Sequence, residues 1–396
     1  MSALNRSRSL FLTLSLAVLL PVATGVLWSA VTTRGADEGE DSVYKYLSIF
    51  SEVFGLVRSS YVDAPDVDIL LGGAIDGVGD ALDPFSNVVP AAAMAEYQRT
   101  LEIGTTLSGL RLAKEQGLAF VVAVEEGSPA AAAGLERGDL VAEIDGQDTR
   151  VTSLWRLESR LAGAAGEQLV LRTLRDGESE KRTLTLAEYP TPQPRVEQVE
   201  SLPMLVLPRI DSAAVGKARE LLGGLVESGA ERLLIDLRSV AGGDVEAAYA
   251  LGALFASGEL GGLETRGEER REFRSDAEPL WDGRTVVLVD GGTLGPAEVL
   301  AAILRDGAGG ELVGVRTFGW AGERTFVELS SGARLHLTTA FYTGPEGEPL
   351  SGGVAPDIVV DELSRSLDER DRSLRELILE RGVDRLLGSD TERRVA

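Results

Sequence analysis

Few side chains in this sequence could act as a catalytic base. It contains one histidine, His336, no cysteine, and four lysines, of which Lys217 is the last. The missing cysteine excludes disulfides, thiolate metal ligands and cysteine nucleophiles, and a single histidine excludes a multi-histidine metal site. A serine hydroxyl is a poor nucleophile until a base removes its proton. Serine chemistry in the C-terminal half would therefore need Lys217, His336 or a carboxylate.

Lys217 and His336 each have a simpler interpretation as structural residues without a catalytic role. Lys217 lies early in a helical run, which predicts a solvated surface residue. His336 lies in an alternating run at 334–338, which predicts a solvent-facing strand residue. The hydroxyls that could replace a conventional nucleophile are predicted to be turn residues: Thr293, Ser330, Ser331 and Ser351. We find no metal-ligand spacing, phosphate loop or nucleotide fingerprint, so neither a metal nor a cofactor is predicted.

The charge balance is strongly acidic. Sixty-three acidic and 39 basic side chains give a formal net charge of −24. Nucleic-acid binding is disfavoured, because phosphates need a basic protein face. A hydrophobic fraction of 44% is typical of a folded chain with a core, and 396 residues predict several domains.

The N-terminus carries a hydrophobic segment. Residues 10–31 contain no charge and as a helix would span about 33 Å, the thickness of a bilayer core. Arg6 and Arg8 precede the segment and acidic residues follow it, so the positive-inside rule leaves a short cytosolic tip. Residues 1–33 are predicted to form a single-pass anchor in the inner (cytoplasmic) membrane, with the body in the periplasm or extracytoplasmic space. A signal peptide is the alternative and would also export the body.

Residues 41–98 are predicted to form a helical domain. Apolar side chains recur there at helical spacing: Tyr44, Leu47, Phe50, Val53, Phe54 and Val57. A second helix is predicted over 69–82, ended by Asp83 and Pro84.

The remaining chain predicts a β-rich domain followed by an α/β domain. Residues 101–189 alternate short apolar runs with turns, and helices are expected from Pro129 and over Leu154–Leu161. After a proline-rich linker, strands and helices alternate over 190–362, which predicts an α/β core with parallel strands and an antiparallel pair at 324–342. Residues 363–396 predict a charged surface helix with an apolar stripe. The fold class is thus a multidomain α/β and β-rich protein.

Five motifs occur in the order of one known family. The run GSPAAAAGLERGDLVAEIDGQDT resembles a PDZ domain of the bacterial protease type. The runs LLIDLRSVAGGDVEAA, VGVRTFG, LHLTTAFYTGPEGEPL and GVAPDIVV resemble the carboxyl-terminal processing, or tail-specific, serine peptidases. The resemblance covers residues 41–362. It implies a PDZ domain over 101–189 and an α/β core of the ClpP/crotonase type over 190–362.

The chain departs from that family at the catalytic positions. The position of the nucleophilic serine is Gly295, that of the lysine base is Trp320, and that of the orienting glutamine is Arg324. The resemblance therefore implies that no catalytic residue is intact.

The implied oxyanion site is also incomplete. The family uses the backbone N–H that follows the nucleophile together with an N–H of a Gly-Gly turn. Pro296 occupies the first position and has no N–H, so only Gly242 and Gly243 remain.

A peptide-binding loop is the other site that the resemblance implies. The loop that captures a C-terminal carboxylate in PDZ domains falls on Ser108, Gly109, Leu110 and Arg111. Arg111 would add charge to this capture; its simpler interpretation is a solvated strand residue.

Two hypotheses for function follow. The first is an anchored pseudopeptidase that binds protein C-termini, or an active peptidase partner, through its PDZ domain, with homo-oligomerisation as a further expectation. The second is an active serine-type endopeptidase that cleaves protein C-terminal regions with a relocated nucleophile, such as Thr293, beside His336 or a carboxylate.

Overall fold

The computed structural model describes residues 38–360 and 373–388. The predicted anchor at 10–31 lies outside these ranges, within which no helix is long and apolar enough to cross a membrane. The chain divides into two compact units, Met1–Gly72 and Gly73–Ala396.

Two helices account for the described part of the first unit. Helix α1 spans Glu38–Ser60, and helix α2, Val67–Asp80, continues past the boundary into the second unit. The apolar spacing predicted for the first helix is confirmed, and its side chains remain largely exposed, with Leu47 at 55% and Val53 at 54%.

The second helix ends at Asp80, near the predicted break at Asp83 and Pro84, but the predicted helical domain at 41–98 also contains a strand. The carboxylate of Asp83 accepts hydrogen bonds from the N–H groups of Phe85 and Ser86, each at 2.8 Å, and turns the chain. Strand β1, Asn87–Val89, follows this turn, and helix α3, Met94–Ile103, comes next. The strand forms because it pairs with a strand near residue 335. The local sequence pattern around Asn87–Val89 does not predict this pairing.

A five-strand sheet with a short sixth strand forms the β domain, residues 101–189. Its order is β2-β3-β4-β6-β7, with β5 paired to β4. The strands are β2 Leu110–Glu115, β3 Leu118–Val124, β4 Leu140–Ile144, β5 Gln147–Asp148, β6 Gln168–Arg175 and β7 Glu178–Thr185. Both predicted helices are confirmed, as α4 Pro129–Ala132 and α5 Leu154–Leu161.

The α/β core, residues 190–360, is built on a six-stranded sheet in the order β17-β14-β13-β10-β9-β8. Its strands are β8 Arg195–Val199, β9 Leu202–Val206, β10 Arg232–Asp236, β13 Arg284–Val289, β14 Glu311–Gly314 and β17 Ile358–Val359. All neighbours are parallel except β8 and β9, so the predicted parallel sheet is confirmed. Its helices are α6 Ser212–Glu227, α7 Val245–Gly252 and α8 Pro296–Ala302.

A second sheet flanks this core and includes β1. Its order is β1-β16-β11-β12, with β15 paired to β16. The strands are β11 Gly258–Thr265, β12 Arg271–Ser275, β15 Gly322–Glu328 and β16 Arg334–Thr343. The predicted antiparallel pair is confirmed as β15 and β16.

The C-terminal helix packs its apolar stripe onto the parallel sheet. Helix α9, Leu374–Leu387, buries four side chains in one cluster with residues of β10, β13 and β14: Leu377, Ile378, Val383 and Leu386. The predicted surface helix therefore serves as a covering layer of the core.

Candidate active-site cleft

A cleft of about 490 Å³ lies between the β domain and the α/β core. It collects all six positions that sequence comparison marked as catalytic or oxyanion positions: Gly242, Gly243, Gly295, Pro296, Trp320 and Arg324. From the predicted peptide loop, Gly109 and Arg111 also line the cleft, whereas Ser108 and Leu110 do not. Positions more than 200 residues apart in sequence thus share one site.

Gly295 occupies the turn between β13 and α8. Its φ of +62° is the left-handed conformation that L side chains rarely adopt. A Cβ built there would lie 4.0 Å from the carbonyl oxygen of Trp320, so a small side chain has room. Pro296 is the first residue of α8 and offers no N–H. The turn thus has no hydroxyl at position 295 and no N–H donor at position 296.

Glu298 holds this turn in place, and our reading of the sequence missed it. Its fully buried carboxylate accepts hydrogen bonds from the N–H groups of Gly295 at 3.0 Å, Gly319 at 2.7 Å and Trp320 at 3.0 Å. The Thr317 hydroxyl donates a fourth bond at 2.6 Å. Burial raises the pKa of Glu298, against the lowering effect of these bonds. The sequence offered one indication of this role: Glu298 is the third residue of a helix, where an acidic side chain often accepts a hydrogen bond from the backbone N–H before the helix.

Trp320 is a packed apolar residue. Its ring lies 4.4 Å from that of Phe85, between centroids, and only 7% of the residue is exposed. Both belong to the apolar cluster that fills the β domain. The position of the family's base is therefore filled by a ring that seals one wall of the cleft.

The Gly242–Gly243 turn has a backbone conformation that only glycine can adopt. Gly243 has a φ of +126°, and a Cβ there would lie 1.8 Å from the carbonyl oxygen of Ile210, so only glycine fits. In the described part of the chain no group accepts a hydrogen bond from either glycine N–H. These donors line the cleft and are available to a ligand.

Among the predicted alternatives for a nucleophile and base, His336 lines the cleft and Thr293 does not, although the Thr293 hydroxyl lies 3.5 Å from Oδ1 of Asp290. The Thr293 hydroxyl is fully buried, donates to the Leu237 carbonyl at 2.8 Å and accepts from the Asp290 N–H at 3.0 Å. Ser330 and Ser331 lie in the turn that joins β15 to β16, and Ser351 lies in a short 3₁₀ turn, as predicted. Lys217 is on the surface and pairs with Glu220 at 2.8 Å, also as predicted.

His336 was predicted to face solvent, and this prediction is wrong. Only 6% of the residue is exposed, because β1 pairs with β16 and Asn87 lies opposite it. Its Nδ1 shares a hydrogen bond of 3.1 Å with the Tyr97 hydroxyl. Burial and the charge of Arg324 lower the pKa of His336 to about 3.

A hydroxyl that the sequence did not suggest, Ser239, also lines the cleft. Its φ is +61°, and its Oγ donates to Oδ2 of Asp290 at 3.1 Å. Asp290 already accepts from the N–H groups of Ser239 at 2.8 Å and Gly292 at 2.9 Å. The Asp290 carboxylate thus stabilises the turn by accepting hydrogen bonds from Ser239 and Gly292.

The peptide groove of the β domain is covered by the chain itself. Helix α3 lies over the space between β2 and α5, where Thr100 Oγ1 and Ser159 Oγ share a hydrogen bond of 2.9 Å. The N–H of Lys114, on the outer edge of β2, donates to the Pro84 carbonyl at 3.1 Å. About 90 Å³ remains open, less than ligand sites usually provide.

Two N–H groups of the loop predicted to capture a carboxylate already have internal acceptors. The N–H of Gly109 donates to the Thr105 carbonyl at 2.6 Å, and that of Leu110 to Ser108 Oγ at 3.3 Å. Arg111 is half-buried rather than solvated, because Phe85 and α3 pack beside its strand.

Comparison with known proteins agrees with this architecture. The Peptidase family S41 model matches residues 202–360 and the PDZ domain model matches residues 120–175. A carboxyl-terminal-processing protease of Picosynechococcus sp. is 30% identical over 307 residues, which cover 73% of each chain. The chain belongs to the carboxyl-terminal processing protease family.

Other family members support the same assignment. The carboxy-terminal-processing protease of Bartonella bacilliformis is 28% identical and covers 87% of this chain and 81% of its own. The solved structure of a photosystem II D1 C-terminal processing protease matches with a TM-score of 0.63 at 25% identity, over 79% of this chain and 92% of that chain. The S41 match spans the cleft positions from Gly242 to Arg324, so these are homologous to positions of the family's peptidase domain.

Proposed function

We propose that this chain is a membrane-anchored, extracytoplasmic member of the family that binds the C-terminal end of another protein without cleaving it. Gly295 carries the proposal, because the turn that would present a nucleophile has no hydroxyl. An active peptidase or a second copy of the chain is the further partner that this function would accommodate.

The missing hydroxyl, base and oxyanion donor would all act in one step, the attack on the peptide carbonyl. Acyl transfer needs a nucleophile, a base to deprotonate it and donors to stabilise the oxyanion. Glycine supplies no nucleophile, the indole of Trp320 supplies no base, and Pro296 removes one oxyanion donor. That last loss alone costs a factor of about 10²–10³ in turnover in peptidases where it has been measured.

What remains in the cleft favours binding. Leu294 and Trp320 contribute apolar surface to the cleft, and the turn at Gly242 and Gly243 leaves two N–H groups without an internal acceptor in the described chain. An apolar wall with a few placed donors is the usual make-up of a peptide site. A bound segment would meet recognition groups but no reactive one.

An active peptidase with a relocated nucleophile is the second candidate. Ser239 favours it, since its hydroxyl lies 3.1 Å from a carboxylate oxygen of Asp290 and lines the cleft. We place it second because Asp290 is held as an acceptor by two backbone N–H groups and lies 3.8 Å from the guanidinium of Arg137.

Cleavage of an unfolded protein that ends in apolar residues tests the proposal. The full-length protein is incubated with it, and new termini are sought by mass spectrometry. We expect none with the wild type, and none with Gly295→Ser, because that variant still lacks a base. New termini that disappear in Ser239→Ala or Thr293→Ala, but persist in the exposed control Ser330→Ala, would overturn the proposal.

A further inference from the structure

Two arginines enter the cleft region from different domains without a carboxylate partner. Arg111 lies on β2 of the β domain and Arg324 on β15 of the core, and both line the cleft. Their guanidinium carbons lie 5.7 Å and 5.9 Å from the centre of the Phe85 ring. Neither forms a salt bridge within residues 38–360 and 373–388, whereas Arg209 of the same cleft pairs with Glu125 at 2.8 Å.

The side chain of Arg111 is left unsatisfied. Its Nε is fully buried and has no hydrogen-bond partner among the described residues. An unmade hydrogen bond of a buried donor costs about 1–3 kcal/mol. Burial, and then the charge of Arg324, lower the pKa of Arg111. Such a donor is best stabilised by an anion.

Arg324 contributes the second positive charge. It donates one hydrogen bond, to the Phe85 carbonyl at 3.3 Å, and its guanidinium lies 5.5 Å from the Trp320 ring centre. The aromatic rings hold a cation in place without neutralising it. After burial, the same charge is the second cause of the depressed pKa of His336.

The carboxylates on the walls are engaged elsewhere. Glu125 accepts from Arg209 and from the Thr105 hydroxyl, the latter at 2.6 Å. Glu323 accepts from the Tyr342 hydroxyl at 2.9 Å. Glu158 accepts from the Tyr97 hydroxyl at 3.3 Å and makes no salt bridge with either arginine. Glu158 and Glu125 act on Arg111 at longer range only, so a direct carboxylate partner of the arginine pair is left to a ligand.

We propose that Arg111 and Arg324 form a clamp for the α-carboxylate at the C-terminal end of a bound polypeptide. The inference rests on the proposed function, a cleft that binds a polypeptide without cleaving it. It identifies the side chains that bind the C-terminal carboxylate. Guanidinium groups bind carboxylates through paired hydrogen bonds. The last side chain of the ligand would lie against Trp320, which lines the cleft. The N–H groups of Gly109 and Leu110 already have internal acceptors, so they do not perform this capture.

Peptides that differ only at the C-terminus test the clamp. A fluorescent peptide ending in apolar residues is compared as the free acid, as the C-terminal amide, and as the amide with one internal glutamate. We expect the full-length protein to bind the free acid at least about tenfold more tightly than either amide, the gain of one strong charge-assisted interaction. If the glutamate amide binds as tightly as the free acid, the ligand is an acidic side chain and the proposal is wrong.

Single arginine variants then locate the site. Arg111→Gln and Arg324→Gln should each reduce the preference for free acid over amide towards one, while the affinity for the amide stays unchanged. Arg266→Gln, at an exposed arginine, should keep the preference. Because each change also relieves repulsion between the arginines, the melting temperature without peptide should not fall; a preference that survives in both folded variants contradicts the clamp.

Mass spectrometry of the recovered peptide separates the two proposals. An intact peptide with no preference for the free acid overturns the clamp alone. A shortened peptide overturns the proposed function, whatever the preference.

Discussion

The carboxylate of Glu298 joins two separate segments of the cleft wall. It accepts from the N–H of Gly295, just before α8, and from the N–H groups of Gly319 and Trp320 in the following loop. The loop keeps this geometry although Trp320 replaces a base, because the hydrogen bonds involve backbone atoms. The geometry of this part of the cleft wall therefore does not depend on the side chain at position 320.

Replacement of Glu298 tests this role. Glu298→Ala leaves three backbone N–H groups and the Thr317 hydroxyl without an acceptor, so we expect a loss of about 3 kcal/mol or more in the free energy of unfolding. Glu298→Gln should lose less, because its amide oxygen still accepts. Chemical denaturation measures both, with exposed Glu328→Ala as control; equal stability of Glu298→Ala and the control would contradict the account.

His336 should make stability depend on pH. Its pKa is about 3 when folded against 6.5 in the unfolded chain, so the unfolded state binds more protons between these values. The free energy of unfolding should therefore fall as pH is lowered from about 7 to 5, by on the order of 2 kcal/mol from this group. His336→Phe keeps an aromatic ring stacked on Phe326 but has no proton to bind. Its free energy of unfolding should therefore fall less than that of the wild type between pH 7 and pH 5, by the contribution of His336. Parallel curves for the two proteins would show that His336 is not buried in its neutral form.

Helices and strands with a regular spacing of apolar residues were predictable from the sequence, and the short elements were not. Leu154–Leu161 carries the apolar spacing of a helix, and the 324–342 hairpin alternates, so both were identified from sequence. Strand β1 has three residues and exists only because β16 pairs with it, about 250 positions away. Missing β1 also produced the wrong prediction for His336, since β1 covers that face.

Helix α3 should limit access to the groove between β2 and α5. Thr100, 6% exposed, faces α5 through its hydrogen bond to Ser159, so Thr100→Arg should displace α3 and open the groove. We expect stronger binding of C-terminal peptides to this variant. Glu102→Arg introduces an arginine on the exposed face of the same helix and should leave binding as in the wild type. Weaker or unchanged binding by a folded Thr100→Arg protein would show that α3 does not block the groove.

For the molecule as a whole, the sequence motifs predicted the order of the β domain and the α/β core, and the family comparisons agree with that order. The motifs also identified six positions that the fold gathers in one cleft. They did not predict that Arg111 and Arg324 lie in the same cleft, because strands β2 and β15 are distant in sequence and belong to different domains. Nor did they predict that the peptide groove is covered, which depends on how α3 packs.

The central claim is that the cleft binds a chain end and leaves it whole. The most direct measurement is the mass of a free-acid peptide recovered from its complex with the full-length protein after prolonged incubation. The account predicts saturable binding and recovery of the peptide at its original mass. Recovery of a shortened peptide, abolished by Ser239→Ala, would contradict it and show that the protein is an active peptidase.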